Sequence, residues 1–198
     1  MIFERGHFKS SRIQKSFIND SLNGSRRFNS KTAFSLKPTI FLSHKHNDLE
    51  DEEELKGFIE LIEGMGAKVY IDSMDNTLPQ QTTGDSAKRI KEIIKFCNKF
   101  ILIATEKAIV SFWCSWELGV GNVYQYMDHI ALLPIKEKST SDSKYKGNEY
   151  LQIYPKIEYK EAFTNFNGHY FEEGYYVSQP ENNEGKIYIQ LLKNWFKR

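Results

Sequence analysis

The sequence predicts an α/β fold: a parallel sheet wound with right-handed crossovers and helices on both faces. Three observations in its 198 residues predict it. Short continuous apolar runs rich in β-branched and aromatic residues read as buried parallel strands. Stretches with apolar residues at helical spacing lie between them. The connections joining the two are short, which favours alternating strands and helices over separate layers.

The first strand is Thr39-Ile40-Phe41-Leu42-Ser43, after Pro38. It runs into the polar loop His44-Lys45-His46-Asn47-Asp48. The acids from Asp51 to Glu54 then sit where a helix's first turn favours negative charge. Leu55, Phe58, Ile59 and Ile62 keep the spacing of one helix face, and Gly64 and Gly66 end it. Lys68-Val69-Tyr70-Ile71-Asp72 is the second strand, followed by a polar loop from Ser73 to Gly84. The next helix carries Ala87, Ile90, Ile93, Ile94 and Cys97 on one face, and Phe100–Ala104 is the third strand. A tryptophan-bearing helix follows, and then a fourth strand at His129–Ile135. Beyond it, Lys136–Asn148 reads as a loop and Leu151–Tyr159 as a fifth strand. Phe163–Val177 reads as an irregular segment or hairpin, and Tyr188, Leu191, Leu192 and Trp195 as a terminal amphipathic helix.

The expected division is a basic arm over 1–37, one α/β domain over 38–160 and an extension over 161–198. The arm holds eight Lys/Arg against the two acids Glu4 and Asp20, so it is strongly basic although the chain's formal net charge is only +1. It reads as flexible or partly docked. So small a net charge argues against nucleic acid as an obligatory partner. No apolar run has the length of a membrane span, and the amino terminus lacks the apolar core of a secretory signal. Cys97 and Cys114, both in apolar helical contexts, suit buried thiols in a reducing compartment. The expected location is therefore the cytoplasm.

The segment Ser111–Gly119 holds the most suggestive residues. At about 100° per residue, Trp113, Trp116, Val120, Tyr124 and Met127 form one apolar stripe, and Glu117 lies about 40° from Trp113 at its edge. A carboxylate there is a solvated neighbour of the core or a group held in a cleft. In wound sheets, ligands bind outside the carboxyl ends of the strands. The 44–48 loop, the 73–84 loop and the Trp113–Glu117 helix all emerge there, which favours the cleft.

Taken together, these segments resemble the Toll/interleukin-1 receptor (TIR) domain family over roughly Thr39–Tyr159. The resemblance is carried by Ile40-Phe41-Leu42-Ser43-His44, Gly66-Ala67-Lys68-Val69-Tyr70-Ile71-Asp72, Asp75-Asn76-Thr77-Leu78-Pro79 and Trp113-Cys114-x-x-Glu117-Leu118. It implies a flavodoxin-like sheet of about five parallel strands. It also implies kinship with the prokaryotic NAD-consuming branch, as in Thoeris-type anti-phage defence. By the same resemblance Glu117 is the catalytic glutamate, and Ser43, His44, Lys45, Asp75 and Trp113 are substrate-binding. NAD+ enters as substrate and no cofactor is required. Self-association with other TIR domains is implied, as is a downstream effector that senses a nucleotide product.

The implied reaction breaks the bond between nicotinamide and ribose. Nicotinamide departs neutral from a cationic ring, so no acid is needed, and one carboxylate suffices to offset charge on an oxocarbenium-like sugar. Water as nucleophile gives ADP-ribose; an atom of the same molecule gives a cyclic isomer. The competing readings are a non-catalytic scaffold acting through the 73–84 loop and a receptor-like domain that binds a nucleotide without cleaving it.

The remaining candidates read more simply. His44 and His46 lack the acids and cysteines of a metal site and suit polar loop contacts. Cys114 reads as a structural thiol, not a nucleophile. No glycine-rich dinucleotide fingerprint is present, so redox use of NAD is not implied.

Overall fold

A computed structural model describes residues 2–9, 37–46, 48, 52–75, 83–137, 149–165, 167–182 and 184–197. The strands, in chain order, are β1 (Phe3–Glu4), β2 (Thr39–Ser43), β3 (Lys68–Tyr70), β4 (Lys99–Ala104) and β5 (Ile130–Lys136). They continue with β6 (Lys156–Lys160), β7 (Phe163–Thr164), β8 (Tyr170–Phe171), β9 (Gly174–Ser178) and β10 (Ile189–Leu191). The helices are α1 (Glu52–Gly64), α2 (Gly84–Phe96), α3 (Glu106–Ile109), α4 (Phe112–Tyr124) and α5 (Leu192–Trp195).

Five parallel strands form the centre in the order β3-β2-β4-β5-β6. This is the flavodoxin-like order, and it places a topological switch point between β2 and β4. The crevice at their carboxyl ends, beyond Ser43 and Ala104, is where such a sheet accepts a ligand.

Alternate residues of each strand feed two separate cores. Ile40, Leu42, Ile101 and Ile103 pack with Leu55, Phe58, Ile59 and Ile62 of α1 on one face. Phe41, Phe100 and Leu102 pack with Ile90, Ile93 and Ile94 of α2 and with Cys114 and Leu118 of α4 on the other. Because β2 and β4 are covered on both sides, they read as unbroken apolar runs. Thr83 caps α2: its side chain accepts from the Ser86 N–H, and the Ser86 side chain returns the bond.

Several expectations need correction. The buried face of α4 is Cys114, Glu117, Leu118 and Gly121, not the tryptophan stripe. Trp113, Trp116 and Val120 are only partly buried, and Tyr124 and Met127 are exposed. Size explains the choice. A Cβ added to Gly121 would stand 3.1 Å from the Phe100 ring, so the helix lies too close to the sheet for an indole at that face. The expected fifth strand begins only at Lys156, because Glu149–Ile153 forms a 3-10 turn and Pro155 follows it. The terminal helix is one turn, since Ile189–Leu191 instead pairs antiparallel with β9.

The segment expected to be irregular or a hairpin contains a hairpin and a strand of the main sheet. β7 and β8 form a small hairpin, while β9 runs antiparallel to β6 and extends the main sheet past residue 160. At the other end of the chain, residues 2–9 are docked. β1 lies parallel to the last residues of β5 (Phe3↔Ile135, Glu4↔Lys136), while β6 meets β5 lower down at Leu132↔Lys156. Phe8 is buried against Phe58, with ring centroids 5.0 Å apart. The rest of the expected arm, 10–36, lies outside the described residues, as do Asn76–Pro79 and most of the 136–148 loop. Among the described residues, no helix is long and apolar enough to cross a membrane.

Candidate active site

The crevice at the switch point is built by β2, by the turn after β3 and by α4. Strand β2 delivers Ser43 at its last position, buried, and the chain then turns through His44. Ser111 starts α4, its side chain accepting from the Cys114 N–H. The helix crosses the second core and brings Glu117 under the end of β2. The Ser43 hydroxyl donates to Glu117 Oε2 at 2.5 Å.

Glu117 is 1% exposed, and its other oxygen, Oε1, has no hydrogen-bond partner among the described residues. Burial raises its carboxyl well above the ordinary glutamate value. The negative charge of Asp72 pushes the same way, while the Ser43 hydroxyl and the Trp113 indole work against the rise. A buried carboxyl with one satisfied and one orphaned oxygen is costly unless something else completes it. A cationic or hydroxyl-bearing ligand would do so.

Histidines and an aspartate complete the polar wall. His44 is buried and its Nδ1 is also without a partner among the described residues; Nε2 lies 3.5 Å from Ser73 Oγ. Burial lowers His44 to about 4, so its imidazole is neutral near pH 7. His46 lies beside it, ring centroids 5.3 Å apart. His46 Nε2 donates to both oxygens of Asp72, at 3.1 and 3.3 Å. Asp72 is itself buried and also accepts the Ser73 N–H at 2.8 Å. Burial works to raise the Asp72 carboxyl, but the bond from His46, the nearby imidazole charges and the Ser73 N–H outweigh it and hold the group below its usual value.

Glu117, Ser43 and His44 are thus brought together, with Trp113 half-buried on the same helix as Glu117. Trp113 packs against Trp116 with centroids 4.8 Å apart and planes tilted by 30°, and its indole favours the ionised form of the Glu117 carboxyl. Lys45 is exposed; its positive charge opposes protonation of His46. Asp75 is buried and already engaged, accepting from the Tyr70 hydroxyl at 2.9 Å and from Arg89 at 3.4 Å. Cys114 is buried, its thiol pushed up to about 11 chiefly by burial, as a structural thiol should be. Among the described residues no group of His, Cys, Asp or Glu forms a metal-binding cluster. A cavity of about 500 Å³ lies at the opposite rim, by the amino ends of β2, β4 and β5, lined by Pro38, Asn98 and His129 among others. It does not adjoin Glu117.

Two residues escaped the sequence reading. In the sequence Asp72 reads as the end of a strand, and His46 as a loop contact. Their only sequence signal is that both follow strand ends, and strand order then decides which strand ends face each other.

This arrangement defines an α/β domain of flavodoxin-like order with a buried glutamate under its switch-point crevice. No family model matches the chain. It is similar to the probable 3' cyclic ADP-D-ribose synthase ThsB' of Bacillus cereus (strain MSX-D12), with 33% identity over 124 residues. That alignment covers 60% of this chain and 59% of the relative, so the chain spans less than two thirds of that protein. The order of the parallel strands is the one that the sequence's resemblance to the TIR domain family implies.

Proposed function

We propose that this protein is an enzyme of the NAD-consuming branch of the family, breaking the nicotinamide–ribose bond of NAD+ and releasing nicotinamide. Glu117 carries the reading: a buried carboxyl with an unpartnered oxygen at a sheet's ligand rim. Alone in the free protein, burial favours its neutral form. A cationic nicotinamide riboside placed beside it favours the ionised form, and that form offsets the charge that develops on the sugar as the bond breaks. Ser43 orients the carboxyl through Oε2, leaving Oε1 for the ribose hydroxyls. His44, neutral, adds no opposing positive charge. The Trp113 indole supplies a face on which nicotinamide or adenine stacks.

The relative's name supports a cyclic ADP-ribose as product, formed when a ribose hydroxyl of the same molecule attacks; attack by water gives ADP-ribose. A role in anti-phage signalling, with an effector that reads the product, is what the resemblance to the Thoeris-type branch implies. We assign Asp75 and the exposed Lys45 to the cleft's periphery. The test is Glu117→Gln. Nicotinamide release from NAD+, followed by chromatography, should fall at least about a hundredfold, the range associated with losing one preorganised charge-stabilising group. Circular dichroism should show an unchanged fold. A folded variant with undiminished release refutes the assignment.

Self-association is a second, compatible reading, favoured by apolar side chains left open on the surface. Phe112 at the start of α4 is 95% exposed, with Val110 beside it also exposed.

A further inference from the structure

We infer that His46, held by Asp72, is the base that takes the proton from the hydroxyl attacking the sugar. The inference rests on the NAD reading above and extends it to the second half of the reaction. Loss of nicotinamide needs no proton: the C–N bond breaks and its electron pair stays on the ring nitrogen. The new bond does need one removed. Whether the nucleophile is water or a ribose hydroxyl, its oxygen supplies the electron pair for the C–O bond and must shed its hydrogen.

Among the described residues, the crevice offers few acceptors. Glu117 is held by Ser43 through Oε2, and its Oε1 is committed to the sugar's charge. The Cys114 thiol is buried and protonated. His44 is too weakly basic to hold a proton. Lys45 is a cation. His46 differs from all of these. Its side chain is half exposed, whereas the Asp72 carboxylate behind it is almost wholly buried. With Nε2–H given to that carboxylate, the tautomer makes Nδ1 the ring's acceptor nitrogen. Once Nδ1 takes the proton, the imidazolium rests against a buried negative charge fixed by the Ser73 N–H. This is the orienting role an aspartate plays behind a catalytic histidine.

The pair belongs to the same crevice. His46 stands ring to ring with His44, the residue after Ser43, and Glu117 feels the charge of Asp72. The groups facing His46 are Asp72, which raises it most through its hydrogen bond, and Lys45, which lowers it; the neutral His44 ring lies alongside. The net is a rise above the ordinary imidazole value. Activity should therefore fall as pH drops through a limb above 6.5. Asp72→Asn, acting on a positioning residue, should move that limb to lower pH.

A comparison of two nucleophiles tests the assignment. Exchange of nicotinamide for 3-acetylpyridine uses an attacking nitrogen that carries no hydrogen, so it needs no base. His46→Ala should lower formation of ADP-ribose or its cyclic isomer by about 10²–10⁴-fold, the usual reach of general-base catalysis, while pyridine exchange on the same preparation stays near the parent rate. Equal loss of both reactions would make His46 a structural residue, and no loss of either would leave it without a role; both outcomes overturn the inference. Parent protein that performs neither reaction is a different failure, that of the NAD reading itself.

Discussion

Glu117 occupies a position where solvation and function oppose each other. A helix that buries Cys114, Leu118 and Gly121 against the sheet must bury position 117 with them, and a carboxyl there is held neutral chiefly by its lack of water. The consequence for stability has a definite sign. The folded-state value lies above the unfolded value of about 4.5, so folding is least opposed when the group is protonated in both states. That contribution is fully present below about 4.5 and is lost as pH climbs toward the folded value. Glu117→Gln has no such loss. Urea unfolding of the two proteins at a series of pH values from 4.5 upward should show the variant gaining on the parent with each step. Parallel curves would mean that the carboxyl is not buried as described. The place of the Glu117 helix at the carboxyl-end rim was legible in the sequence, through the alternation of strands and helices. The carboxyl's burial was not, because the large apolar residues of α4 point to a different face and the small ones that settle the packing give periodicity little signal.

The elements were legible wherever both sides of a chain segment are covered. β2, β4 and α1 show in the sequence because continuous apolar runs and helical spacing are direct consequences of burial. Elements made by pairing instead of pattern were missed. β1 is two residues long, and nothing in Phe3-Glu4 foretells that it will lie beside Ile135 and Lys136. Its docking depends on contacts that only the assembled fold brings together. The Gly6 N–H donates to Glu54 Oε1 at 2.8 Å, Arg5 donates to the Asp48 carbonyl at 2.8 Å and to Glu137 at 2.6 Å, and the Phe8 carbonyl lies directly over Gly57. A methyl group at 57 would strike that carbonyl oxygen well inside contact distance, and backbone yields less readily than a side chain. Gly57→Ala should therefore lose about 1–3 kcal/mol of stability, the range for overpacking. Amide hydrogen exchange should rise first in residues 3–9. An alanine variant with undisturbed exchange there would show that β1 does not sit on α1.

Across the whole molecule, the alternation of strands and helices was enough to predict a wound sheet, but not how far it extends. The expected boundary at residue 160 falls between β6 and the strand that pairs with it, and β9 and β10 carry the sheet outward from there. The aromatic content of the last forty residues gave no alternation to read, because these strands are short and only partly covered. Trp195 ties this end of the chain back to the centre. It is buried with Leu192 and Phe196 in the same core as α1, its indole N–H donates to the Asp128 carbonyl at 2.6 Å, and the Lys99 ammonium lies 4.8 Å from its ring centroid. Asp128 and Lys99 precede β5 and begin β4, so one side chain braces the amino ends of two central strands whose carboxyl ends form the crevice. Truncation should accordingly be felt by the entire sheet. Trp195→Ala is expected to cost about 3–5 kcal/mol, the range for removing a large buried aromatic. Denaturant unfolding should remain a single transition, with fluorescence and far-ultraviolet circular dichroism shifting together. If instead the two probes separate, or the loss is under about 1 kcal/mol, well short of the expected core value, then the last forty residues form a unit of their own and the sheet is not continuous in its energetics.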